Sequence, residues 1–129
     1  MAQQNDFDCT SVLNLDEGIR FVGVCSKNGL LLDFSYRDEI NPLLATDDLK
    51  LSIQNTIIKH NIRIQEAEKM GEPIYSITTY QNVKRATISL DEELLLLVSF
   101  ESNRNEHELI HKILKYIKKS VHNKNMHLN

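Results

Sequence analysis

Residues 19–36, IRFVGVCSKNGLLLDFSY, carry the local pattern on which the fold turns. Ile19, Phe21, Gly23 and Cys25 alternate with Val22 and Val24, and Arg20 stands near the start, so Ile19 to Ser26 reads as a strand that is apolar on nearly both faces. Ser26-Lys27-Asn28-Gly29 then offers an Asn-Gly pair that tolerates positive φ, and Leu30 to Tyr36 returns as the second arm of a hairpin. A strand greasy on both sides is one covered above and below. Leu94 to Phe100 reads the same way over Leu94 to Val98, which places these two strands in the middle of a sheet. Ile74 to Tyr80 is rich in β-formers but polar at alternate positions, which suits an edge.

The remaining elements fall outward from these. Asp6 to Leu15 contains Phe7, Val12, Leu13 and Leu15 at poor helical spacing and predicts a short first helix. A loop runs through Asn41 and Pro42. Thr46, Asp47 and Asp48 are helix-start residues, whose side chains accept from free N–H groups and suit the positive end of the dipole. The helix they open is expected from Leu49 to Met70, with Gly71 as a left-handed cap and Pro73 preventing continuation. Ile74 to Tyr80, Val83 to Leu90 and Leu94 to Phe100 are separated by Gln81-Asn82 and Asp91-Glu92-Glu93, connections short enough for an antiparallel meander. Asn105 caps a last helix to about Val121, Glu108 completing a box-like start, and residues 120–129 form a polar, flexible tail. The predicted fold class is α+β, a five-stranded antiparallel sheet sandwiched by helices, in one domain over residues 1–119.

The bulk properties agree with an ordinary globular domain. The chain has 129 residues, 41% hydrophobic and 26% charged, with a formal net charge of -3; this argues against a protein whose main task is to neutralise nucleic-acid phosphates. Met1 to Asp6 has neither the basic nor the apolar region of a secretory signal, and the longest aliphatic run is too short for the roughly 20 residues of a membrane span. A cytoplasmic protein is expected. In a reducing compartment Cys9 and Cys25, which lack C-x-x-C spacing, are expected to be packing residues.

The long helix has one stripe more than it needs. Leu49, Ile53, Ile57, Ile64 and Ala67 share a face at about 100° per residue, the side that packs on a sheet. Leu51, Ile58 and Ile62 fall almost opposite. The last helix is the control: Leu109, Ile110, Ile113, Leu114, Ile117 and Val121 fit one broad face, with Lys112, Lys115, Lys118 and Lys119 outside it. The second stripe is expected to meet its own copy across a two-fold axis, where one patch serves both subunits. Six large aliphatic side chains at about 1.5 to 3 kcal/mol each give roughly 9 to 18 kcal/mol gross, against about 4 to 15 kcal/mol for association. Edge pairing of the third strand, through Ile74, Ser76, Thr78 and Tyr80, is expected to add main-chain hydrogen bonds. The competing expectation is that an N-terminal segment or the loop around Pro42, Leu43 and Leu44 covers the stripe within one chain.

The hairpin Phe21-Val22-Gly23-Val24-Cys25-Ser26-Lys27-Asn28-Gly29-Leu30, with its turn glycine, and the long helix that follows resemble the roadblock/dynein light chain domains of the wider profilin-like group. The resemblance extends from about Val12 to Lys119, although the first helix is short here. It implies a five-stranded antiparallel sheet with one long helix on one face and the terminal helices on the other, and a homodimer formed through the long helix and third strand. It also implies a non-catalytic scaffold or regulator of small Ras-like GTPases and of motor or membrane-associated complexes. Sensory folds of the PAS type share part of this topology.

Three motifs offer chemistry of their own. His107-Glu108-Leu109-Ile110-His111 is an H-E-x-x-H on a helix, the spacing by which two histidines bind zinc and a glutamate acts as general base. A third ligand is required, yet Leu114 and Ile117 stand where the longer metzincin motif needs glycine and histidine. His122 lies about 16 Å further along the axis. The motif is expected to be an exposed helix start. His60 falls on the sheet-facing stripe and is expected to be a buried, hydrogen-bonded core histidine. Glycines 18, 23, 29 and 71 build neither phosphate-binding glycine motif, and no nucleophile elbow occurs. From residue 106 to 129 there are five lysines against two glutamates, a basic amphipathic helix that can lie on an anionic membrane or an acidic partner. The expected function is a non-enzymatic homodimeric regulatory or scaffold module without cofactor, docking on a small GTPase or another signalling protein. The alternatives are a small-ligand sensor with a polar pocket between sheet and helix, and, more remotely, a zinc hydrolase through His107, Glu108 and His111.

Overall fold

The computed structural model describes residues 8–37 and 46–128, the side chains of 46–48 and 121–128 excepted. Its elements in chain order are α1 (Cys9–Leu13), β1 (Ile19–Ser26), β2 (Leu31–Tyr36), α2 (Thr46–Ile64), α3 (Ala67–Met70), β3 (Tyr75–Thr79), β4 (Val83–Ser89), β5 (Leu94–Glu101) and α4 (Glu106–Leu128). The five strands form one antiparallel sheet in the order β2-β1-β5-β4-β3. The two strands with apolar residues on both sides are thus inner ones, and the alternating strand β3 is an edge, as their composition requires.

The two faces of the sheet carry separate cores. On one, Val22 and Val24 of β1, Ala86 and Ile88 of β4, and Leu96, Val98 and Phe100 of β5 pack with Cys9, Val12 and Leu13 of α1 and Leu109, Ile110 and Ile113 of α4. On the other, Phe21 and Cys25 of β1 and Leu95 and Leu97 of β5 meet Ile53 and Ile57 of α2, with Leu49, Leu31 and Tyr36 at the margin. One long helix therefore covers one face and the terminal helices the other. Asp8 caps α1, accepting from the Ser11 N–H at 2.8 Å. Asn105 caps α4 through its Oδ1, which accepts from the Glu108 N–H at 3.1 Å.

Several expectations need correction. Ile19 packs with Val22 and Val24 on the α4 side, not with Phe21, because the pairing of β1 with β5 shifts register between Ile19 and Phe21 and an irregularity of this kind changes the alternation. In the β1–β2 turn only Gly29 has positive φ, at +92°. The Gly29 N–H donates to the Ser26 carbonyl, and the Ser26 N–H to the Leu30 carbonyl, so Asn28 keeps an ordinary conformation and the loop is a three-residue turn with glycine last.

The long helix is broken after Ile64. The Gln65 and Glu66 N–H groups turn back to the carbonyls of Ile62 and Arg63, three residues earlier, and α3 buries no residue. Past Ile64 no core contact keeps the helix in register, and its local bonds tighten. Gly71 closes α3 by donating to the Ala67 carbonyl at 2.8 Å, but with φ +87° and ψ 168° it lies outside the left-handed helical region. Helix α4 extends to Leu128, past the expected end near Val121. The N-terminal residues before Asp8, the Asn41-Pro42 loop, the caps expected of Thr46, Asp47 and Asp48, and the tip at Asn129 lie outside the described residues or side chains.

Two local devices hold the hairpin. A side chain on Gly23 would stand 2.8 Å from Cζ of Phe21 and 3.1 Å from Cδ1 of Leu31. The bare backbone leaves room for a cluster in which the ring of Phe21 lies 4.9 Å from Tyr36 and 6.4 Å from Phe34. Arg37, just past β2, donates from Nε to the Ile19 carbonyl at 2.7 Å and from Nη2 to those of Leu13 at 2.7 Å and Asp16 at 2.9 Å.

Candidate functional site

The site is the surface that α2 and β3 share. Leu49, Ile53 and Ile57 seat α2 over β1, β2 and β5, which leaves two further faces of the helix. Leu51, Ile58 and Ile62 remain 60%, 57% and 58% exposed. The covering loop expected around Pro42, Leu43 and Leu44 lies outside the described residues. Met70, Ile74, Tyr75 and Tyr80 extend the exposed apolar surface from the end of α3 along β3. Strand β3 pairs only with β4 among the described strands, so its outer edge carries unpaired backbone groups. Strand β3 itself runs from Tyr75 to Thr79, so Ile74 and Tyr80 flank it; the Ile74 carbonyl accepts from the Ser89 N–H, and the Tyr80 N–H donates to the Val83 carbonyl.

The third face of α2 looks over β3 and β4. There Thr56, Lys59 and Arg63 line one wall of a shallow open groove, and Ser76, Thr78, Tyr80, Arg85 and Thr87 line the other. The pairing explains the polarity: Ser76 stands opposite Thr87 and Thr78 opposite Arg85, all on the α2 side. Their neighbours Ile77, Ala86 and Ile88 turn to the α4 core. Arg85 donates from Nη1 to the Ser52 hydroxyl, and Thr56 from its hydroxyl to the Ser52 carbonyl at 2.9 Å. Sequence reasoning assigns Ser76, Thr78 and Tyr80 to an edge and overlooks Lys59, Arg63, Arg85 and Thr87. The available signal is Arg85-x-Thr87 on an inner strand, a polar face where its neighbour β5 is apolar.

His60 is buried, 3% exposed, but its Nε2 has no hydrogen-bond partner among the described residues. The hydrogen bond expected of a buried histidine is not made at that nitrogen. Burial, then the charges of Lys27 and Arg63, hold its pKa below the ordinary imidazole value, against an opposing pull from Glu72. Cys9 and Cys25 are free and buried. Burial, reinforced for Cys9 by Asp33, pushes the thiols up to about 12 and about 11. His107, Glu108 and His111 are all exposed on α4. Among the described residues no group of three or more His, Cys, Asp or Glu is placed to hold a metal ion. Lys112, Lys115, Lys118 and Lys119 lie outside the buried stripe of α4, and Lys112 pairs with Asp16 at 3.6 Å. No helix among the described residues is long and apolar enough to cross a membrane.

A sheet in the order β2-β1-β5-β4-β3 between one long helix and two terminal ones is the Roadblock/LC7 fold. The gliding protein MglB from Thermus thermophilus superposes with a TM-score of 0.73 at 10% identity, covering 97% of this chain and 90% of its own. A Roadblock/LC7 domain from Streptomyces avermitilis gives 0.68 at 9% identity over 86% of this chain and 89% of that one. An MglB in a tetrameric arrangement gives 0.73 at 10% identity, covering 97% and 89%. No family model matches the sequence. No curated protein matches it either. The likeness therefore lies in the path of the backbone.

Proposed function

We propose that this chain is a non-enzymatic, homodimeric regulatory or scaffold module of the cytoplasm that acts on a small Ras-like GTPase or a comparable signalling protein. The observation that carries this reading is the exposed stripe of Leu51, Ile58 and Ile62 beside the open edge of β3. In the dimer, α2 packs on its symmetry mate through these three residues. The β3 strands of the two copies meet edge to edge across Ile74, Ser76, Thr78 and Tyr80. A continuous ten-stranded sheet then removes two exposed edges at once.

The GTPase reading comes from the fold's resemblance to roadblock domains, and the tetrameric MglB agrees with a fold that self-associates. Sedimentation of wild type and Ile58→Glu at micromolar concentration tests the dimer: the wild type is expected to sediment as two copies and the variant as one. A monomeric wild type ends the reading. Docking on a GTPase is tested by titrating the protein against Ras-like GTPases loaded with GDP or a GTP analogue, with state-dependent binding expected. The groove between α2 and β3 supports a ligand-binding role on the same fold, since its hydroxyls and cations converge from sheet and helix as a sensor pocket requires.

A further inference from the structure

The geometry points to the groove between α2 and the β3–β4 hairpin as a binding site for a tetrahedral, doubly charged oxyanion of the phosphate monoester class. Three cations, Lys59, Arg63 and Arg85, line it without a carboxylate among the lining residues, in a chain whose net charge is negative. Four other cations are paired with carboxylates, Arg20 with Glu101, Lys84 with Glu106, and Arg104 and Lys112 with Asp16, while exposed lysines such as Lys50, Lys69 and Lys115 stand apart from one another without an ion pair among the described residues. No ion pair engages Lys59, Arg63 or Arg85 among the described residues. Arg85 is half-buried in the floor, where its side-chain partner among the described residues is the neutral Ser52 hydroxyl. A guanidinium held in this way keeps donors for a ligand, and its planar fork matches a phosphate edge.

The hydroxyls choose between anions. Thr56 is already committed as a donor to the Ser52 carbonyl. Ser76, Thr78, Tyr80 and Thr87 make no side-chain hydrogen bond among the described residues and stand on the groove side. Donors arriving from a helix wall, a strand floor and a strand edge fit an acceptor with oxygens in several directions. A planar carboxylate offers only two oxygens and one charge.

The inference is argued from a single copy, and Ser76, Thr78 and Tyr80 are shared between this groove and the edge proposed to pair. The test is calorimetric titration of the full chain with inorganic phosphate, methyl phosphate and acetate at constant ionic strength and a pH of about 7.5, where monoester phosphate is largely doubly charged. Saturable phosphate binding is expected, at least about tenfold tighter than acetate. Arg85→Gln is expected to weaken it by about tenfold or more, as for loss of one charge-assisted donor. Because Arg85 is half-buried, the Lys59→Gln/Arg63→Gln pair on the helix surface gives an independent loss. Lys84→Gln, whose lysine is engaged by Glu106, serves as the unaffected control. Tighter binding of methyl phosphate identifies a carried phosphate, and equal binding identifies the free ion. Sedimentation of the same wild-type samples reads oligomeric state separately from phosphate binding, so the two readings fail independently. Absence of saturable phosphate binding, acetate binding as tightly as phosphate, or undiminished binding by Arg85→Gln overturns the assignment.

Discussion

Helices α4 and α2 cover opposite faces of the same sheet, and they cover them differently. In α4 one apolar stripe, centred on Leu109, Ile110 and Ile113, is buried together with α1, and Lys112, Lys115, Lys118 and Lys119 are outside it. In α2 only Leu49, Ile53 and Ile57 reach the sheet, over β1, β2 and β5. The helix leaves β3 and β4 uncovered on that face and carries a second apolar stripe outward. One face is finished within the chain, whereas the other retains a polar cleft and an oily ridge. Stability is concentrated on the α4 side, and surface suited to recognition is concentrated on the α2 side.

The sharpest way to break this contrast is to empty each core. Phe100→Ala, on the α4 side, is expected to cost about 3 to 5 kcal/mol, read from the shift in urea unfolding. Ile57→Ala, at the border of the polar groove, is expected nearer the lower end of the range of about 2 to 5 kcal/mol, because water and neighbouring side chains can fill the space. Equal losses would remove the distinction. On the outer stripe, Ile58→Ala at concentrations where the protein is monomeric is expected to change unfolding by less than about 0.5 kcal/mol, while weakening self-association measured by sedimentation.

A smaller effect separates the faces by pH. His60 lies on the α2 side with its folded-state pKa lowered, so the unfolded chain takes up the proton more readily. Its contribution is fully present above the unfolded value of about 6.5 and is lost as pH falls from there through the folded pKa, at up to about 1.4 kcal/mol per pH unit. Urea midpoints of wild type and His60→Gln between about pH 7.5 and 5 are expected to converge on acidification. Last, Cys9 and Cys25 report local opening from opposite faces. With both thiols held at about 12 and about 11, alkylation of the folded protein at about pH 8 is expected to be slow. Cys25, beneath α2, is expected to react before Cys9, because the less completely covered side opens first. The reverse order would count against the contrast.

The elements that rest on periodicity are legible in the chain. Alternation at Ile19 to Ser26 and the unbroken run of Leu94 to Val98 mark the inner strands, the polar alternation of Ser76 and Thr78 marks an edge, and the spacing of Leu51, Ile58 and Ile62 marks a surplus stripe. What escapes depends on register or on distant partners. The shift between Ile19 and Phe21 moves one side chain across the sheet, and nothing local announces it. Propensity alone carries the long helix through to Met70, whereas the break after Ile64 follows from loss of tertiary support. The groove is hidden because Arg85 and Lys59 each look like solvated charges; only the β3–β4 register and the seat of α2 bring them to one cleft. That Nε2 of His60 has no partner among the described residues is likewise invisible to spacing.

Arg37 has a consequence for how the amino-terminal third behaves. One planar cation answers three oxygens, from the end of α1, from the connection after it and from the start of β1. These contacts share a single side chain, so they are made or lost together. Lysine, with one nitrogen at its tip, cannot span them, and that corner of the molecule would loosen as a unit while the opposite end of the sheet stayed closed.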